Sequence, residues 1–110
     1  TRKISQNLIE MMRGGNTPSI ALVSRRNNMS VRKLQILLEK ENTTFKKLLQ
    51  VVRKEMALAY LREKQILLAE VAYLLGFSEP SSFHRAFKQW TGQTPGQFRS
   101  VILTNDQTVF

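Results

Sequence analysis

The sequence predicts an all-α fold of about seven helices, with two helix-turn-helix subdomains joined by a long linker helix. Three observations carry that prediction. Leu68–Trp90, LAEVAYLLGFSEPSSFHRAFKQW, reads as a helix, a tight turn and a second helix. The pattern has an upstream echo: Val23 and Ser30 recur as Val71 and Ser78, 48 positions on, and Leu34 and Leu38 recur as Phe83 and Phe87, 49 positions on. That offset puts one extra residue after the second cap. Between the copies, Phe45–Lys64 keeps helical spacing with neither Gly nor Pro inside. Two copies fall short of the roughly three or more that a solenoid needs.

Taken in order, Thr1–Met12 places Ile4, Leu8, Ile9 and Met12 on a short amphipathic helix, which Arg13-Gly14-Gly15-Asn16 ends. Thr17-Pro18 is a capping hydroxyl followed by proline, starting a second helix from Pro18 to about Arg26. Ile20 and Val23 are its inward residues, with Leu22 at the margin. Asn27-Asn28 makes the turn, because Asn tolerates the left-handed region. Ser30 caps a third helix, about Val31 to Glu41, which buries Leu34, Leu37 and Leu38 before Asn42 breaks it.

Thr43 or Thr44 then caps the linker helix, where Phe45, Leu48, Leu49, Val52, Met56, Ala59, Tyr60 and Leu61 follow helical spacing. Gln65–Leu67 is a weak joint without a good N-cap. The fifth helix carries Ala69, Val71, Ala72, Leu74 and Leu75, and Gly76 accepts the left-handed backbone that ends it. Ser78 caps the sixth helix, with Glu79 in its first turn and Pro80 tolerated there because first-turn amides lack an intrahelical partner. Phe83 and Phe87, at i and i+4, point inward. Gly92 ends this helix, and Thr94-Pro95 repeats the start signal for a short last helix around Pro95–Val101. The expected domains are therefore 1–44 and 65–103 for the two helix-turn-helix subdomains, 45–64 for the linker, and 104–110 as a disordered tail.

Charge points to the partner. A net charge of +9 and a pI near 10.5 favour a polyanion, either nucleic acid or an anionic membrane surface, over an inert basic surface. The absence of cysteine excludes disulfides and thiolate metal sites and fits a cytoplasmic location. No apolar run approaches the ~18–20 residues of a membrane span, and no signal peptide is visible, so no membrane partner is expected. The chain starts at Thr1 without a methionine, as a fragment of something longer would.

Other chemistry finds no support. There is no nucleophile–base pair, glycine-rich phosphate loop or carboxylate dyad, so the reading is not an enzyme, and no cofactor is expected. His84 is the single histidine, with neither cysteine nor an acidic cluster around it to make a metal site. Trp90 and the phenylalanines could stack single-stranded bases, but their i, i+4 pattern points to core packing.

At this point the residues resemble a known family. EVAYLLGFSEPSSFHRAFKQWTGQTPGQFR is similar to the C-terminal signature of the AraC/XylS bacterial transcription regulators. Arg53, Ala57 and Leu61 match that family's Arg-x3-Ala-x3-Leu linker pattern, and Ser30, Leu34, Gln35 and Phe45 match its first unit. The resemblance covers roughly Pro18 to Arg99. Asn27 and Asn28 replace an apolar residue and Gly, Ile36 a basic residue, and Asn42 a Gly. These departures imply a first unit with fewer direct DNA contacts or a less rigid hold. The resemblance implies a two-headed, sequence-specific binder of double-stranded DNA, attached to an N-terminal effector-binding or dimerisation domain, with RNA polymerase as a further partner.

Side-chain chemistry then nominates contacts. Arg32, Gln35 and Ile36 on the third helix, and Ser81, Ser82 and Arg85 on the sixth, are candidate base readers, since Arg suits guanine, Gln suits adenine and Ile can meet a thymine methyl. Glu79 could accept from a cytosine amine but fits a dipole-complementing position better. Candidate phosphate contacts are Ser30, Lys33, Lys46, Lys47, Ser78, His84, Lys88, Thr94 and Arg99, which offer charge, hydroxyls or first-turn amides. The competing expectations are a basic helical protein-interaction module and a nonspecific DNA binder.

Overall fold

The computed structural model describes residues 2–108, and side chains only as far as residue 103. These residues form seven helices and no strand: α1 (Arg2–Arg13), α2 (Ile20–Arg26), α3 (Val31–Lys40), α4 (Phe45–Leu61), α5 (Leu68–Leu74), α6 (Pro80–Thr91) and α7 (Pro95–Thr108). The chain divides into two units, Thr1–Arg53 and Lys54–Phe110, so the division falls inside α4.

The first unit buries Ile4, Leu8, Met11 and Met12 of α1, Val23 of α2, Leu34 and Leu38 of α3, and Leu48 and Val52 of α4. Its second helix starts two residues later than expected. Ser19, in extended conformation, accepts from Leu22 N–H through its hydroxyl at 3.1 Å, so Ser19 is the cap and Pro18 packs its ring, buried, outside the helix. Asn27 N–H closes α2, Asn28 takes a left-handed φ of 55°, and Met29 N–H returns to Ser24 C=O at 3.0 Å. A side-chain tie reinforces the turn: Asn27 Nδ2 donates to Asn7 Oδ1 at 2.7 Å and to Val23 C=O at 2.8 Å. Leu37, expected inside, is exposed on α3, because Leu34 and Leu38 already fill the inward i, i+4 positions. Asn42 ends the segment with a left-handed φ of 60°, and Thr44 caps α4 by accepting from Lys47 N–H at 3.2 Å.

The second unit is built on Ala57 and Leu61 of α4, Val71, Ala72 and Leu75 around α5, and Phe83 and Phe87 of α6. Phe77, Trp90 and Phe98 close around them, with ring centroids 5.5–6.4 Å apart in tilted or edge-on pairs. These four phenylalanines and Trp90 therefore belong to the core or pack against it. Here α4 stops at Leu61 rather than Lys64. Arg99, carried back by α7, donates Nε to Leu61 C=O at 3.0 Å and Nη2 to Tyr60 and Glu63 C=O at 3.4 and 3.1 Å, adding a side-chain donor to Tyr60 and Glu63 carbonyls that already accept from the Glu63 and Ile66 N–H groups. As the weak joint suggested, α5 has no side-chain cap; Leu67 N–H is met instead by Glu70 Oε1 at 3.4 Å.

The cap of α6 is Glu79, not Ser78. Pro80 occupies the first helical position and drives the preceding residue into extended backbone, which Glu79 adopts at φ −152°, ψ 152°. The extra residue of the second copy thus lies in the turn, before the cap. Gly92, at φ 80°, terminates α6. Thr94 and Gln97 cap α7 reciprocally, at 3.1 and 2.9 Å, and α7 continues past the expected Val101 to Thr108, since nothing after Gly96 breaks it. The tail expected over 104–110 is therefore helical backbone as far as 108, and 109–110 lie outside the described residues.

Candidate nucleic-acid interface

Both halves present the same supersecondary unit. α2 and α5 are each seven residues long, and their turns share one hydrogen-bond plan: Phe77 N–H to Ala72 C=O at 3.1 Å repeats Met29 N–H to Ser24 C=O. From the turn onward the offset changes from 48 to 49, with Ser78 as the added residue, so α3 and α6 match from Val31 and Pro80. Leu34 and Leu38 correspond to Phe83 and Phe87, all buried, which fixes which side of each helix faces out.

On α3 the outward residues are Arg32, Lys33, Gln35, Ile36 and Glu39. Arg32 and Gln35 line a cleft of about 340 Å³ with Glu39, Thr43, Thr44 and Lys46, so two expected base readers and one expected phosphate contact meet in one concavity. Ser30 caps α3 by accepting from Lys33 N–H at 3.1 Å, and Lys46 and Lys47 stand exposed in the first turn of α4. On α6, Ser81, His84, Arg85 and Lys88 are exposed and Ser82 is half-buried. His84 stands in the register of Gln35 and Ser82 in that of Lys33, a correspondence visible only once the added residue is located.

Some expected phosphate contacts have other duties. The Arg99 guanidinium is committed to the carbonyls at the end of α4, and the Thr94 hydroxyl caps α7. Ser78 is exposed in the turn rather than at the cap. Burial lowers the Arg53 pKa through desolvation, which marks it as part of the scaffold.

The electrostatics are lopsided. Eleven of the 17 lysines and arginines but only three of the eight acids fall in the first unit, leaving +8 there and +1 in the second. Of the seven helices, only α5 has an acid in its first turn, the place where a helix dipole ordinarily favours one. Apart from α5 and from α6, whose N-cap is Glu79, the helix starts carry no acid, and α4, which adds Lys46 and Lys47 to its first turn, is the one best suited to an external anion. Among the described residues, no group of acids and histidine could hold a metal and no helix is long and apolar enough to cross a membrane.

Comparison with known proteins agrees with this geometry. Residues 23–100 match the helix-turn-helix domain family. The chain is 40% identical over 91 residues to the ornithine utilization regulator of Pseudomonas aeruginosa, a match covering 83% of this chain and 27% of that protein. The chain thus spans about a quarter of that relative's length. The crystal structure of the transcriptional regulator CdpR, also from Pseudomonas aeruginosa, superposes with a TM-score of 0.75 at 33% identity, over 88% of this chain and 31% of that one. The DNA-binding domain of AdpA, solved with a target DNA, shares the fold at a TM-score of 0.82 and 18% identity, over 94% and 93% of the two chains. With its paired turns, its basic exposed faces and these relatives, the chain belongs to the AraC/XylS-type helix-turn-helix family of transcription regulators and corresponds to their DNA-binding part.

Proposed function

We propose that this chain reads a specific duplex through α3 and α6, each laid in its own major groove, with the grooves about 34 Å apart on one face of the DNA. The observation that carries this is the matched register of the two helices, which gives each an outward polar edge backed by two buried side chains. That register supports a reading in which Arg32, Gln35 and Ile36 on α3 and Ser81, His84 and Arg85 on α6 face the bases. Ser82, at the α6 position that matches Lys33 on α3, takes a backbone contact. A good bidentate pair from Arg32, Gln35 or Arg85 supplies about 1–3 kcal/mol of discrimination.

Phosphate contacts fall to Lys33, Lys46, Lys47 and Lys88, with first-turn amides behind Ser30 and the Ser78 hydroxyl. If α4 holds the heads at a spacing that straight DNA does not offer, the duplex must bend, at a cost of about 1–6 kcal/mol. In the longer protein, this part works in the cytoplasm beside an N-terminal effector-binding or dimerisation domain and acts on RNA polymerase.

Selection of bound sequences from a random duplex pool tests the reading. Enrichment of a site with two blocks one helical turn apart is expected, with affinity falling steeply as salt rises. Equal affinity for every duplex would leave a nonspecific binder. Absence of duplex binding at moderate salt would leave a protein-interaction module.

A further inference from the structure

The outer edge of α5 has no place in the DNA reading. It carries the two most exposed large apolar side chains among the described residues, Leu67 at 64% and Tyr73 at 60%. Glu70 lies between them at i+3, along one slanting edge of the helix. From Gln65 to His84 there is no lysine or arginine. An apolar, acidic edge in so basic a chain repels phosphate and calls for a cationic protein surface.

The same element of the first unit has the opposite sign. There, α2 exposes Leu22, at 41%, together with Arg25 and Arg26. With Met11 and Asn16 these residues line a cup of about 340 Å³. Arg26 is held at the rim by Glu10 at 2.7 Å, and Arg25 stands exposed beside it.

We propose that α5 of one copy docks on the α2 cup of a second copy. Tyr73 enters the cup against Met11 and Leu22, and Glu70 approaches Arg25. Two different surfaces meet, so the contact is heterologous and leaves a free α2 at one end and a free α5 at the other. Copies on neighbouring sites of one duplex then reinforce each other head to tail. An exposed charge pair is a weak adhesive, so the buried aromatic ring provides the affinity and the charges set orientation and salt sensitivity.

Sedimentation without DNA tests the contact independently of the operator reading. Across concentrations up to about 1 mM, the weight-average mass of the chain should rise above its monomer value of 12.7 kDa. Glu70→Arg and Arg25→Glu should each return it to the monomer, and mixing the two variants should restore association. Tyr73→Ser should give the same loss without touching the residue that meets the Leu67 amide. Circular dichroism melts matching the unsubstituted chain confirm that the variants fold. A chain that stays monomeric throughout overturns the proposal. So do variants that associate undiminished, or a mixture that stays monomeric.

Discussion

Asn28 in the first unit and Gly76 in the second hold the same left-handed turn, at φ 55° and 82°, yet their surroundings differ in kind. In the first unit the turn is tied by polar groups. Asn27 bonds Asn7, Arg26 pairs with Glu10, and the neighbouring Ser24 hydroxyl is buried without a hydrogen-bond partner. In the second, Leu75 and Ala72 stand at the positions of Asn27 and Ser24, and the turn is sealed by Phe77 against Phe83. The same backbone plan thus tolerates either a polar lock or an aromatic one. Charge divides along the same line, +8 against +1, so the first unit carries nearly all of the net positive charge.

The contrast can be broken by experiment. The largest effect falls on the aromatic core: Phe87→Ala should cost about 3–5 kcal/mol of stability in urea unfolding, and Leu38→Ala at the matching position about 2–5 kcal/mol. A larger loss at Leu38 would break the contrast between an aromatic lock in the second unit and a polar one in the first. Next comes salt. Neutralising Lys33, Lys46 and Lys47 together should flatten the dependence of log affinity on log salt by up to about 0.9 for each phosphate left without its cation, whereas Lys88→Ala should change it by roughly one such step. Equal slopes for the two variants would show the charge imbalance to be irrelevant to binding.

Arg85→Ala sharpens the division from the other side, with a loss of about 1–3 kcal/mol on the selected site and little change on random DNA. An equal loss on both would make Arg85 a backbone contact. The smallest effect is the most diagnostic of the polar lock. Ser24→Ala removes a buried hydroxyl that has no partner and should be neutral or stabilise by about 1 kcal/mol, while Ala72→Ser should destabilise by about 1–3 kcal/mol. A destabilising Ser24→Ala in thermal melts would mean that the hydroxyl has found a bond.

The helices and their inward residues were legible because apolar spacing and capping are local: Ser30, Asn28, Gly76, Thr94 and Phe87 each do what their neighbours in sequence require. Where two local signals compete, sequence cannot rank them. Ser19 took the cap from Thr17, and Pro80 moved the α6 cap from Ser78 to Glu79. What lay beyond reach was the chain-distant pairing. Nothing near Arg99 announces the carbonyls 36–39 residues away that it serves, so it reads as one more surface cation. The candidate contacts were legible as outward side chains, but the parallel between His84 and Gln35 needed the turn geometry.

That arginine also bears on how the molecule can be dissected. A truncation that stops short of residue 99 would take the guanidinium from Leu61 C=O, leave Tyr60 and Glu63 C=O with their backbone donors alone, and let α4 fray from its downstream end. The last helix is therefore a buckle rather than an appendage, and amide exchange at the close of α4 should quicken when it is removed.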